Sequence, residues 1–385
     1  MLIDAMADTL FSSGAISDAT AKLDAGDDAA LAVASSARPF IAAAGFARRR
    51  TSTLVLVPGE DAAASFARSA SAYLGEGCVL HFPAREDYPF APKHPDARTV
   101  SKRAQAAWAL QTKAPKMVVA SAASLIRALP PVSARVYAPL IFNAGQEALD
   151  AATGEMLSFS DVESALVARG YENAGQLEGP GTFCVRGGII DVYPGNSVFP
   201  VRLDFFGDEI DEIRRIVPST GQTITSLGGI EVYPVREYRL SARGIRQAQE
   251  TVRPRAGNDA VWREMLEKLS GGVDFGGADA LLPLLYAQTV SLGAYTGHDT
   301  LTVMDEPRSL FDDAAHAFDD ALGRSKGSHI PVDGLYIPPA QLDFGKGTRF
   351  TMVSIMRVGG TVDAELPVKR TEAVRSLAQS CRSAV

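Results

Sequence analysis

Several things are scarce in this 385-residue chain, and each scarcity excludes something. There are three cysteines (Cys78, Cys184, Cys381), more than 100 residues apart, and no CxxC pair. The five histidines (His81, His94, His298, His316, His329) show no ligand spacing. A disulfide framework and a structural zinc site are therefore not expected, and a reducing compartment is favoured. No apolar run reaches the roughly 18 residues of a membrane span. The first residues, Met-Leu-Ile-Asp-Ala-Met-Ala-Asp, have no basic n-region, so no signal peptide is read and a cytoplasmic protein is expected. A basic excess is missing too: 38 Lys and Arg stand against 45 Asp and Glu, a formal charge of −7. That balance disfavours a protein that coats nucleic acid.

What is present is a soluble composition, 46% hydrophobic and 22% charged, over a length that suggests two or three domains. Residues 1–127 alternate helix and strand. Leu54–Val57, Cys78–Phe82 and Met117–Ser121 read as buried strands. Ala62–Leu74 (with Asp61 as its cap), Val100–Leu110 and Ala122–Leu129 read as helices. Such alternation implies a parallel sheet. After Pro131 the period shortens and turn glycines multiply. Residues 128–220 read as an inserted α+β module, with a helix near Ser160–Arg169 and strands at Thr182–Tyr193 and Pro200–Phe206. Residues 221–315 return to mixed α/β, with Leu301–Met304 as a core strand. Residues 316–347 read as a linker. Residues 348–385 read as the start of a further small domain, cut short, with a strand at Phe350–Val358 and a helix at Arg370–Cys381.

Two motifs invite chemistry. Ser36-Ala37-Arg38-Pro39 lies where a first strand enters a first helix, the place of a phosphate-binding loop. A working loop needs Gly-Lys-Ser/Thr there, for backbone N–H groups, a cation and a magnesium ligand. Ala37, Arg38 and Pro39 replace all three, and proline also removes an N–H. Asp305-Glu306 ends the strand Leu301–Met304, where carboxylates can hold magnesium. It reads equally as a solvated turn. Arg186-Gly187-Gly188-Ile189-Ile190-Asp191 is the most distinctive string. As one extended strand it places Cys184, Arg186, Gly188, Ile190 and Val192 on one face. Either an uncovered guanidinium is offered there to a carboxylate or aromatic partner, or Arg186 is a paired surface residue beside a glycine bulge. Residues 169–216 carry five basic and eight acidic residues, so 5 − 8 = −3, and this module is no phosphate-backbone binder.

Longer strings carry a resemblance. They are Phe82-Pro83-Ala84-Arg85-Glu86-Asp87-Tyr88-Pro89-Phe90, Pro95 to Arg103, Gly170-Tyr171, Gly179-Pro180-Gly181 through Pro194, and Val201 to Ile210. In order and spacing they resemble the N-terminal region of the bacterial transcription-repair coupling factors, itself similar to the excision-repair subunit UvrB. The resemblance covers about residues 30–310. It implies one degenerate RecA-like domain (1–127 and 221–315), a UvrA-interaction module (128–220), and no metal or other cofactor. UvrA is the implied partner, with RNA polymerase and DNA reached through downstream domains absent here. The chain is then an excised piece or a shortened relative that neither hydrolyses ATP nor translocates.

Carried over residue by residue, Arg186 and Ile190 take the UvrA-facing positions, with Gly187 beside them. UvrB's second arginine is Cys184 here. Asn173 stands where many relatives have arginine, with Arg169 as a substitute just upstream. The aromatic hairpin with which UvrB clamps DNA is reduced to Tyr88 and Phe90. The alternative implied function is a UvrB-like ATP-dependent repair helicase, which needs the phosphate loop that Ala37-Arg38-Pro39 lacks.

Overall fold

The computed structural model describes residues 2–12, 14, 16–86, 94–256, 259–271, 275–326, 334–354 and 362–366. Seven strands, all parallel to their neighbours, form the larger sheet. Their spatial order is Ala364–Leu366, Ala29–Val33, Arg349–Val353, Leu301–Asp305, Thr53–Val57, Met117–Ser121 and Val79–Phe82. The central strands are apolar without alternation because helices cover both faces. On one side Ile41, Ala44, Phe66 and Ala70 pack on Leu31, Val55 and Val119. On the other, Ala104, Ala107 and Leu310 pack on Leu54, Leu56 and Val118.

Two sheets of the inserted module are antiparallel apart from one parallel edge pair. One runs Thr223–Leu227, Glu209–Ile216, Val201–Phe206, Ile189–Val192, Thr182–Arg186 and Glu172–Asn173. The other runs Gly229–Val232, Leu140–Asn143, Ala148–Asp150 and Glu155–Leu157. They share a core of Leu140, Phe142, Phe183, Ile190, Val192, Leu203 and Ile213, closed by the helix Phe159–Ala168. A third unit, made by the helices Ala242–Ala256 and Ala260–Ser270 and the turn at Ala278–Leu285, buries Tyr238, Val252, Trp262 and Leu281.

Four sequence readings are corrected. The Arg349–Val353 strand is inserted between Ala29–Val33 and Leu301–Asp305, so it completes the first sheet and does not begin a separate domain. The strand expected from Phe350 is there, over Arg349–Val353, with Phe350 and Met352 buried; the polar, glycine-rich approach to it suggested a domain boundary that the sheet does not have. The reading of 370–381 as a helix lies outside the described residues. Residues 316–347 are no free linker: 316–324 belong to the helix Pro307–Arg324, Leu335 is fully buried and Tyr336 packs against Arg127. The inserted module runs past 220, because Thr223–Leu227 and Gly229–Val232 pair with its two sheets. Asp61 does not cap its helix, which starts at Glu60 behind Gly59 without a side-chain cap. By contrast, Asp96 caps Ala97–Ala109 by accepting from the Thr99 N–H at 2.8 Å.

The parallel sheet and the inserted module meet around a buried charge network. Glu237, where the chain leaves the module, accepts from Arg85 at 3.1 Å, from Arg103 at 2.9 Å and from the Tyr137 hydroxyl at 2.8 Å. Asp279 accepts from Arg85 at 2.7 Å and Arg127 at 2.9 Å. Arg103 also lies over the Phe82 ring, 4.1 Å from its centroid. Burial pushes the Glu237 carboxyl up, but Arg103 and Arg85 outweigh it and hold the group at about 2.

Candidate functional site

Two places collect the residues singled out by the sequence. The first is the outer face of the six-stranded sheet. Arg186 pairs with Ile189, and Gly187-Gly188 form the two-residue turn between them, Gly187 at φ +59°. A left-handed first turn position with no Cβ is what such a hairpin requires. The turn also reverses the alternation. Residues directly opposite one another share a face, so Cys184 and Arg186 lie with Asp191 and Ile189, while Ile190 lies opposite Val185 and Leu203 in the core. Ile190 is fully buried, so its assignment to the partner face is corrected. The error came from treating residues 182–193 as one strand.

Arg186 itself is exposed, and its Nη2 donates to the Gly175 carbonyl at 2.9 Å. Behind it runs a row of charges that pair across strands. Arg202 holds Asp191 through Nε at 2.7 Å and Nη2 at 2.8 Å. Arg214, directly opposite Arg202, pairs with Asp204, and Glu212 accepts from Ser226 at 2.9 Å. Burial, then Asp191, pushes the Cys184 thiol up. Phe206 stands at the same end of the sheet, 85% exposed, before the turn at Gly207. Arg202, Asp204 and Phe206 were not singled out from the sequence, although the period-two pattern Val201-Arg202-Leu203-Asp204 carried the signal.

The two residues proposed to flank Arg186 differ. Asn173 is exposed on the edge strand and donates to Glu163 at 2.7 Å. Arg169 is only 2% exposed and donates to Asp150 at 2.6 Å and the Ala138 carbonyl at 3.2 Å. As a substitute partner contact it is excluded, because its guanidinium is spent on the module's interior. Tyr88 and Phe90 lie outside the described residues.

The second place is the end of the Ala29–Val33 strand. Ser36 and Ala37 form a short 3-10 turn, Ser36 exposed, that leads into the helix Arg38–Arg49. Arg38 is 3% exposed and inserts between the two carboxylates. It pairs with Asp305, donates through Nη2 to Glu306 at 2.7 Å, and reaches the Val33 carbonyl from Nε at 3.4 Å. Sequence-distant Arg38, Asp305 and Glu306 are thus one cluster. Burial pushes the Asp305 carboxyl up despite Arg38 beside it, and the neighbouring Glu306 adds to the rise. Glu306 sits at φ +45°, a sparsely populated conformation for a residue with a Cβ. Among the described residues no cluster of three His, Cys, Asp or Glu could hold a metal ion.

Residues 149–238 match the UvrB interaction domain. The chain is 30% identical to a transcription-repair-coupling factor of Myxococcus xanthus over 299 residues, 73% of this chain and 24% of that protein. It is 27% identical to the Haemophilus influenzae transcription-repair-coupling factor over 252 residues, 65% of this chain and 21% of that protein. It is 29% identical over 275 residues to the UvrABC system protein B of Nitratidesulfovibrio vulgaris, 67% of this chain and 38% of that protein. The chain is a relative of the transcription-repair-coupling factors and of UvrB. It spans about a quarter of the length of the first of these relatives. No helix among the described residues is long and apolar enough to cross a membrane.

Much of the distinctive coupling-factor-like sequence proves to be packing. A Cβ on Gly170 would sit 3.0 Å from the Arg236 side chain, and Gly170 is at φ +91°. The adjoining Tyr171 hydroxyl donates to the Tyr233 carbonyl at 2.8 Å. A Cβ on Gly195 would meet the Ala97 carbonyl at 2.4 Å, so glycine is what lets the module close on the Ala97–Ala109 helix. Arg85 and Arg103, from the other strings, belong to the buried charge network. Arg186 is the basic residue of those strings that is fully exposed on the six-stranded sheet, where the acidic Glu209 is exposed as well.

Proposed function

We propose that this chain is a non-catalytic recruitment module of transcription-coupled excision repair, which docks UvrA on the outer face of the six-stranded sheet. The single observation that carries it is Arg186: it is exposed at a tight hairpin within a region matching the UvrB interaction domain, among charges that neutralise one another. A desolvated arginine at the centre of a small docking face is the kind of residue that dominates binding energy. Recruitment to stalled RNA polymerase is proposed with it, from the name that the relatives bear. A degenerate RecA-like reading of the seven-stranded sheet fits the same picture. Arg38 occupies the space between Asp305 and Glu306 that a metal–phosphate group would need.

The test is binding of purified UvrA to the chain and to Arg186→Ala. Truncation is expected to cost about 2 kcal/mol, roughly thirtyfold in Kd, with folding unchanged. Undiminished binding sinks the assignment of this face. The UvrB-like helicase alternative is favoured by the parallel sheet with Asp305-Glu306 at a strand end. Magnesium-dependent, micromolar binding of a fluorescent ATP analogue would establish it instead.

A further inference from the structure

A cleft of about 890 Å³ opens beside the edge strand Glu172–Asn173, between the helix Phe159–Ala168 and the segment Arg236–Ser241. His94, Ser164 and Ser241 line it together with Arg236 and Arg239, and Glu163 and Glu172 lie along it. Arg236 is anchored, its Nη2 donating to the Ala168 carbonyl at 2.8 Å. Arg239 is held by its backbone, whose N–H donates to the Tyr286 hydroxyl at 3.0 Å. Its guanidinium differs. Nε and Nη2 are both buried and find no acceptor among the described residues. Buried donors without partners are rare in native proteins and each costs free energy comparable to a lost hydrogen bond.

These two atoms form one edge of the guanidinium, the edge that grips a carboxylate with two parallel hydrogen bonds. Elsewhere in this molecule Arg202 uses it in that way on Asp191, at 2.7 and 2.8 Å. Near Arg239, Arg169 is already committed to Asp150. Burial and the neighbouring Arg169 both push the Arg239 guanidinium's affinity for its proton down, with Asp150 opposing them.

We propose that this cleft is a docking site for an acidic side chain on a partner protein segment, which Arg239 turns its free edge outward to grip bidentately. A carboxylate is favoured over a phosphate by two features. One free fork edge matches one planar oxyanion, and Glu163 and Glu172 along the cleft repel a multiply charged group. The volume exceeds what a lone carboxylate fills and suits a short stretch of chain. Asn173, one of the residues carried over to the UvrA face, lines this cleft too, but Arg239 lies outside that set and the site does not rest on UvrA binding at the Arg186 hairpin.

The experiment is a titration of the full chain, labelled with 15N-arginine and followed through its Nε–H resonances. The probes are acetyl-Gly-Glu-Gly-amide, succinate and inorganic phosphate at matched ionic strength. The Arg239 signal, assigned by its loss in Arg239→Lys, is expected to shift saturably with the glutamate peptide and succinate, while the Arg202 signal stays in place. Phosphate is expected to bind at least about fivefold more weakly. Absence of a saturable shift, or a preference for phosphate, overturns the proposal. Arg239→Gln adds a second readout. Relieved of an unpartnered buried cation, it should melt at or above the temperature of the parent and lose the peptide response. A lower melting temperature would show that the guanidinium is already satisfied within the fold, and would likewise overturn the site.

Discussion

Two arginines of this chain use their guanidinium groups in opposite ways. Arg38 is buried and shared between Asp305 and Glu306, from a strand 267 residues away in sequence. Arg186 is exposed and spends a single hydrogen bond on a backbone carbonyl eleven residues away. The first arrangement lies at the carboxyl end of a parallel sheet, the place where open α/β sheets bind ligands. The second leaves a charged donor at the tip of an antiparallel hairpin. One fold thus carries an arginine taken up by its own carboxylates and an arginine left to solvent. The difference lies in whether the guanidinium's partners are internal.

The largest expected effect comes from breaking the closed side. Arg38→Ala leaves Asp305 and Glu306 together without a cation, the former already pushed upward by burial. Removing one member of a buried ion pair costs about 3–5 kcal/mol. A denaturation midpoint measured in urea should fall accordingly, and UvrA binding per folded molecule should not change. A loss below about 1 kcal/mol would show that the cluster is effectively solvated, and with it the contrast with Arg186 would fail.

A smaller effect tests whether the inserted module is fixed to the parallel sheet by charge. Glu237 is held at about 2 in the folded chain against an ordinary 4.5. A depressed carboxylate contributes stability that is present above its unfolded value and lost as pH falls through its folded one. The window is therefore about pH 4.5 down to 2, and the contribution is about 3 kcal/mol. Glu237→Gln should flatten that part of the stability–pH profile. A variant whose acid limb matches that of the parent would locate the loss elsewhere.

How much of this was written in the sequence depends on the period of each segment. The apolar runs at Leu54–Val57 and Met117–Ser121 are buried on both faces, so composition alone marked them as parallel strands. The loop Ser36-Ala37-Arg38 was legible as a strand-to-helix turn that lacks the residues of a phosphate loop, since its position and its side chains are both local. That Arg38 reaches Asp305 was not, because the contact is made by strand order, with Arg349–Val353 between Ala29–Val33 and Leu301–Asp305. The strand near Phe350 was legible by itself, but its place in the first sheet was not, for the same reason: its neighbours there are distant in sequence. On the hairpin face, a two-residue turn of glycines shifted every later side chain to the other surface. Arg239 had no local signal, as its unpartnered state follows from burial by three separate segments.

That shift gives the last test, and it separates the two surfaces of a single hairpin. Ile189 shares a face with Arg186, whereas Ile190 is fully buried between Val185 and Leu203. Ile190→Ala should destabilise the chain by at least about 2 kcal/mol through the cavity it leaves. Ile189→Ala, on a partly exposed position, should cost under about 1 kcal/mol. Binding should reverse the order: once corrected for the folded fraction, UvrA affinity should fall with Ile189→Ala and hold with Ile190→Ala. A drop with Ile190→Ala alone would return that side chain to the docking face and would mean that the hairpin register is off by one residue.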